Sequence, residues 1–357
     1  MNDPGARLQD LIAAVPPFDP SAAERACERQ AVLIKPPGSL GRLEELAVQV
    51  AGVTGDAVPR GDRRWLAVFA ADHGVAQEGV SAYPATVTAQ IVAALARGDA
   101  AAAVLARSVG ARLLVVDVGI ASPVAPGPGV RSCRVRPGTA SILHGPAMTR
   151  EEAFAAVAVG ADAIAEVVGE GIDLLALGEV GIGNTTAASA VAAAMLGLPP
   201  AAVVGRGTGI DDAALVRKVD VVRNALRVNA VDRADPVGVL AGVGGLEIAA
   251  MAGAMLRAGG QRVPVVLDGF VVGAAALVAV ALCPNLRPFL IAGHQSSEPG
   301  HAKVLAALGL SPLLDYGMRL GEGSGAAVAL GVVGAALDLH RGMATFAEAG
   351  VDDATPR

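Results

Sequence analysis

From about residue 60 onward the chain repeats one pattern: a short apolar, β-branched run, then a Gly-rich or polar turn, then an Ala-rich stretch of helical length. The runs are 65–70, 112–118, 172–177, 202–204, 263–267 and 289–292; their turns are 72–74, 117–119, 178–186, 205–209, 268–269 and 293–300. Strands buried on both faces read as uninterrupted apolar runs, and regular alternation with helices demands βαβ crossovers. The expectation is an α/β fold around a parallel sheet. Ligands of such open sheets lie beyond the carboxyl ends of the strands, so chemistry is expected in the polar turns.

The first 60 residues read differently. Residues 21–33 look helical, with Ser21 as N-cap and Glu24 at the capping-box spacing. Lys35-Pro36-Pro37-Gly38 stops that helix, and a second begins after Ser39-Leu40-Gly41. Helical character returns after the Ala/Gly-rich run 325–337. Two helical ends flanking an α/β core suggest one small helical domain, 1–60 together with 326–357, beside an α/β domain spanning 61–325.

Charge narrows the partners. With 28 Lys+Arg against 34 Asp+Glu, the net charge of −6 argues against nucleic acid, whose binders displace counterions with cationic side chains. A charged fraction of 17% and a mean hydropathy of +0.52 exclude a disordered chain. Cys27, Cys133 and Cys283 form no CxxC pair, so neither a disulfide framework nor a structural zinc is expected. Residues 269–286 carry no charge but contain Pro284 and Asn285 and lack flanking cations; they read as a buried helix ending at Pro284, not a membrane span. Residues 180–205 are broken by Asn184-Thr185-Thr186 and Pro199-Pro200. The first residues lack a basic segment followed by an apolar run, which gives no signal peptide and a cytoplasmic expectation.

Three turns stand out. In Gly178-Glu-Val-Gly-Ile-Gly-Asn-Thr-Thr186, between a strand and a helix expected to open near Ala187, backbone amides, Thr hydroxyls and the helix N-terminus suit a phosphate. Asn184 stands where a P-loop needs Lys, and the glycines run GxxGxG, not GxGxxG. Triphosphate hydrolysis and a dinucleotide-dependent oxidoreductase are both disfavoured. Gly205-Arg-Gly-Thr-Gly-Ile-Asp-Asp212 is the second turn; if Asp211 or Asp212 caps the following helix, Lys218 could reach back toward a phosphate. In Gly321-Glu322-Gly323-Ser324-Gly325 one carboxylate sits among three glycines before a helix, open to close approach by a substrate and fit for general-base work. His294 and His301 lack the HExxH spacing, so no catalytic metal is expected.

Taken together and in order, the segments 35–44 (Lys-Pro-Pro-Gly-Ser-Leu-Gly-Arg-Leu-Glu), 71–75 with 79–84, 178–186, 267–270, 292–301 and 314–325 resemble the nicotinate-nucleotide:dimethylbenzimidazole phosphoribosyltransferase family, which acts in assembly of the lower ligand loop of cobalamin. The resemblance runs from Lys35 to beyond Gly325. It implies a Rossmann-like parallel sheet flanked by helices, a homodimer, and no cofactor or metal. It also implies transfer of the 5-phosphoribosyl group of nicotinate mononucleotide to 5,6-dimethylbenzimidazole, giving nicotinate and α-ribazole 5′-phosphate.

By the same resemblance Glu322 is the catalytic base and Glu179 a second functional carboxylate. The donor and its phosphate lie against Gly181, Gly183, Asn184, Thr185 and Thr186, with Lys218, Gly321 and Gly323 around them. Ser81, Tyr83 and Gln90 are candidates for contact with the base. Ala85 stands where Gln often follows Ser-Ala-Tyr-Pro, and Ser141 where Asn is common. These departures leave open another acceptor, such as a phenol, adenine or a different benzimidazole. A non-catalytic nucleotide-binding relative is the rival from another class.

Overall fold

Six parallel strands run in the order β3-β2-β1-β4-β5-β6 in this computed structural model, which describes residues 4–123 and 129–352. The strands are β1 (Arg64–Ala71), β2 (Ala111–Gly119), β3 (Val130–Ser132), β4 (Leu174–Val180), β5 (Val265–Leu267) and β6 (Leu290–Ala292). The order reverses between β1 and β4, which pair side by side from Arg64↔Leu174 to Ala70↔Val180. A crevice opens at such a reversal because the two flanking loops depart to opposite faces. The fold is Rossmann-like.

The helices are α1 (Pro4–Ala13), α2 (Pro20–Val32), α3 (Arg42–Thr54), α4 (Thr86–Arg97), α5 (Ala101–Ser108), α6 (Arg150–Glu170), α7 (Asn184–Leu196), α8 (Asp212–Asn229), α9 (Pro236–Val243), α10 (Leu246–Gly260), α11 (Phe270–Leu282), α12 (Pro299–Leu308), α13 (Ser324–Gly342) and α14 (Phe346–Ala349). Strand side chains alternate between two cores, as the pleat requires. Trp65, Ala67, Phe69, Leu175 and Leu177 pack under α6, α7 and α10, whereas Leu66, Val68, Leu174 and Ala176 pack under α3, α4, α5 and α13. A core with so few aromatics is filled by bringing backbones together. A Cβ on Gly160 of α6 would lie 1.7 Å from the Ala250 carbonyl of α10, and one on Gly253 would lie 1.9 Å from that of Val157.

At the chain ends, α2 packs on α3 and α3 on α13, while Arg29 donates to the carbonyls of His340 and Arg341. The helix α1 packs instead on α6 and α10. Residues 1–3 and 353–357, the outermost part of the expected helical domain, lie outside the described residues.

Three local expectations are corrected. Residues 202–204 form no strand; Pro199 and Pro200, which lack N–H donors, lead into a 3-10 turn at Pro200–Ala202. The cap of α2 is Asp19, whose Oδ1 accepts the Ala22 N–H at 3.0 Å, because Pro20 starts the helix ahead of Ser21. The helix after the 178–186 turn opens at Asn184, not Ala187. The apolar stretch Thr86–Ser108 meets the length and composition of a membrane span. Its backbone turns at Gly98 (φ 82°), dividing it into α4 and α5. The uncharged 269–286 segment is the buried α11, followed by a 3-10 turn at Pro284–Phe289.

Candidate active site

A cleft of about 700 Å³ lies over the carboxyl ends of the central strands, bounded by Tyr83, Val87 and Ile91 on one side and Arg319 and Leu320 on the other. Glu179 enters it from the end of β4, and His294 from the residue but one after β6. The helices α7 and α11 begin at its floor with Gly183 and Gly269 as N-caps, and neither has a side-chain cap. Uncapped N-terminal turns offer amides and partial positive charge to an anion. The start of α13 is satisfied instead by Asp268, directly after β5: Oδ1 accepts the N–H groups of Gly325 (2.8 Å) and Ala326 (3.0 Å), and Oδ2 that of Gly323 (3.2 Å).

Gly321, Glu322 and Gly323 are three consecutive left-handed residues, with φ of 86°, 61° and 83°. For a glutamate this conformation is strained. It persists because the turn is pressed onto β4: a Cβ on Gly178 would lie 2.3 Å from Gly323 N and 2.5 Å from the Glu322 carbonyl carbon. Gly178 therefore serves backbone contact with this turn, while Gly181 closes against Ala71 and Gly183 caps α7. Glu322 is 9% exposed, lines the cleft and has a buried Oε2 without a hydrogen-bond partner. Burial pushes its carboxyl above the usual range of 4.5, opposed by the Ala102 N–H and reinforced by the Asp268 charge.

Glu179 is pushed well above 4.5, by burial first and then by the negative charges of Asp268 and Glu247, against the hydrogen bond its Oε2 accepts from Asn184 Nδ2. Glu247 is fully buried and pairs with His73 Nε2 at 2.8 Å behind the 181–183 turn.

At the other end of the cleft, Lys218 of α8 is fully buried and donates from Nζ to Thr185 Oγ1 at 2.8 Å. Asp211 caps α8 by accepting the Ala214 N–H at 2.8 Å. Glu298 Oε1 accepts the Gly207 N–H at 2.9 Å. His301, behind His294, is held down to about 4 by burial and by the neighbouring His294; its Nδ1 accepts the Ser296 N–H.

Of the residues expected from the sequence, Glu179, Gly181, Asn184, Thr185, Gly321, Glu322 and Tyr83 line one cleft. Thr186 is buried in the first turn of α7, and Lys218 stands behind Thr185. Ser81 sits at the rim, accepting the Tyr83 N–H, with its Oγ 3.4 Å from Thr208 Oγ1. Gln90 is exposed on α4 and is not among the cleft residues, which on that helix are Val87 and Ile91. Sequence reasoning passed over Asp268, Glu298 and Arg319. The signal for the first two was position, since each lies in a polar turn directly after an apolar run.

A phosphoribosyltransferase family model matches residues 15–351. The nicotinate-nucleotide–dimethylbenzimidazole phosphoribosyltransferase of Desulforudis audaxviator (strain MP104C) is 51% identical over 347 residues, 97% of this chain and 98% of that protein. Its namesake from Azotobacter vinelandii is 49% identical over 344 residues, 96% of this chain and 98% of that protein. A solved structure of the enzyme of that name from Thermus thermophilus superposes with a TM-score of 0.89 at 46% identity, covering 94% of this chain and 100% of that one.

Proposed function

Because the chain belongs to this phosphoribosyltransferase family, we propose that it transfers the 5-phosphoribosyl group of nicotinate mononucleotide to 5,6-dimethylbenzimidazole. The observation that carries the reading is Glu322: a carboxylate held in a left-handed turn, with one buried, unpartnered oxygen at a cleft where two uncapped helix starts converge.

In this reading the phosphate rests on the first turn of α7, from Gly181 to Thr186, backed by Lys218. Gly183 shapes that turn, Gly321 leaves room for the Glu179 carboxyl, and Gly323 lets the 321–323 turn close on Gly178. The flat acceptor lies among Tyr83, Val87, Ile91 and Leu320. Ser81 extends the acceptor side at the rim. Glu322 takes the proton from the acceptor's ring N–H as the other ring nitrogen bonds to the anomeric carbon. The bond to nicotinate breaks with its electron pair moving onto the pyridine nitrogen, and the configuration inverts.

Positive charge develops on the ribose as that bond breaks, so a nearby carboxylate lowers the barrier electrostatically. A positioned general base contributes about 10²–10⁴ in rate. Two buried acids cannot share a site as equal anions. Burial and the charges of Asp268 and Glu247 disfavour the Glu179 anion, and its Oε2 is taken up by Asn184, which suits Glu322, with its unpartnered Oε2, to the base role.

Purified protein given both substrates should release nicotinate and form α-ribazole 5′-phosphate; no product at saturating substrate overturns the reading. The same assay run with other benzimidazoles, adenine and phenols ranks the acceptors. Calorimetric binding of the mononucleotide without turnover would identify a non-catalytic relative. A homodimer belongs to this reading, and a monomer by light scattering would remove it.

A further inference from the structure

One wall of the cleft is held by a network that joins two buried charges through a glycine. Glu298 begins α12, and its Oε1 accepts the Gly207 N–H at 2.9 Å while its Oε2 is buried without a hydrogen-bond partner. Across the same glycine, a Cβ would lie 2.6 Å from Thr185 Oγ1 and 3.1 Å from Lys218 Nζ. The turn 205–209 is thus the partition between a buried carboxylate and a buried ammonium. An ammonium with no exposure has given up its hydration, and that charge survives only where an opposite charge stands near.

The surroundings leave Glu298 as the acid that meets this need. The elements packed most closely against α8 are α7, α9 and the 3-10 turn Pro200–Ala202, none of which carries a titratable side chain, and the neighbouring Arg217 of α8 turns to the Gly79 carbonyl. In the turn itself, Arg206 is engaged by Asp212, and Arg319 donates to the Gly207 carbonyl from the far side.

We propose that Glu298 is a positioning residue for the anion end of the cleft: it anchors the 205–209 turn through Gly207, and its negative charge keeps the Lys218 ammonium charged toward the substrate phosphate. The phosphate's place rests on the function proposed above; the pairing of Glu298 with Lys218 does not. Burial pushes Lys218 down to about 8, and Glu298 acts in the opposite direction. Loss of that carboxylate lowers Lys218 further, so the variant amine is neutral at a pH where the wild-type amine is still partly charged.

The chain contains only three lysines, Lys35, Lys218 and Lys303, so ¹³C-lysine labelling gives a spectrum in which each can be followed against pH. Glu298→Gln keeps an oxygen for the Gly207 N–H and removes only the charge. The Lys218 midpoint is expected to fall by about one unit or more in this variant. Nicotinate mononucleotide binding by calorimetry is then expected to weaken about tenfold at pH 8.5 and less than about twofold at pH 6.5, as a one-unit shift dictates. An unchanged Lys218 midpoint overturns the proposal. Should the wild-type protein bind no mononucleotide at any pH, the assigned substrate fails while the lysine signal still decides the role of Glu298.

Glu298→Asp provides the complementary variant and a safeguard if the amide does not fold. It keeps the charge but shortens the reach to Gly207, so it should hold the wild-type lysine midpoint and weaken mononucleotide binding equally at both pH values. A midpoint that falls in the aspartate variant overturns the electrostatic role, and undiminished binding overturns the anchoring role.

Discussion

The backbone N–H of Glu322 donates to the carbonyl oxygen of Glu179 at 3.1 Å, so two acids far apart in the chain are tied together by main chain rather than by their side chains. The carboxyl groups remain free to differ. Both line the cleft at 9% exposure, but Glu179 is bound by Asn184 and crowded by the charges of Asp268 and Glu247, whereas Glu322 keeps an unpartnered Oε2.

Replacing the member with the unpartnered oxygen tests its chemistry. Glu322→Gln should lower kcat by at least about tenfold while leaving donor affinity within a few-fold, the pattern of an interaction made mainly in the transition state. Steady-state kinetics of nicotinate release check this, and an unchanged kcat would remove Glu322 from the base role. Since the base must be unprotonated, wild-type activity should fall as pH drops, with the acid limb of kcat/KM above 4.5.

Glu179 should make stability depend on pH in a definite direction. Its folded pKa is raised, so between 4.5 and the folded value the native state binds more protons than the unfolded one. The stability linked to this group is therefore fully present below about 4.5 and is lost as pH rises through the folded value. Glu179→Gln keeps an acceptor for Asn184 Nδ2 and removes the titration. Its Tm relative to wild type should rise between pH 5 and pH 8 in scanning calorimetry, even as turnover falls.

The contact between Gly178 and the 322–323 backbone leaves no room for a methyl group. Gly178→Ala should cost about 1–3 kcal/mol in urea unfolding, the range for overpacking a tight interior. It should also lower kcat, because the displaced turn carries Glu322. Normal stability with normal kcat would show that the two backbones do not meet as described.

Behind the glycine-rich turn, His73 Nε2 and Glu247 Oε1 pair in a buried site, where each is the other's side-chain partner. His73→Ala would strand the Glu247 carboxyl and should destabilise the fold by about 3 kcal/mol. Glu247→Gln retains a partner for the ring and should cost clearly less; equal losses in denaturant titrations would argue against the pairing.

The strands β1, β2, β4, β5 and β6 were legible because a parallel strand covered on both faces tolerates almost no polar residue. The run at 202–204 has the same composition but follows two prolines, and composition alone does not register missing donors. The three-residue β3 was too short to leave a pattern. Glu322 could be picked out as a lone acid among glycines. The reason for those glycines could not, since Gly178 and Gly323 touch only once the chain has crossed the sheet. Lys218 likewise looks like an ordinary helical lysine until Thr185 and Glu298, on two other elements, are brought beside it.

The left-handed backbone at Glu322 sets foldability against chemistry at a single codon. Glycine would occupy φ 61° without penalty and relax a strain of order 1 kcal/mol or more, whereas glutamate holds it under protest. Drift toward glycine is therefore the downhill path for the fold, and a descendant that no longer needed turnover would gain robustness by taking it.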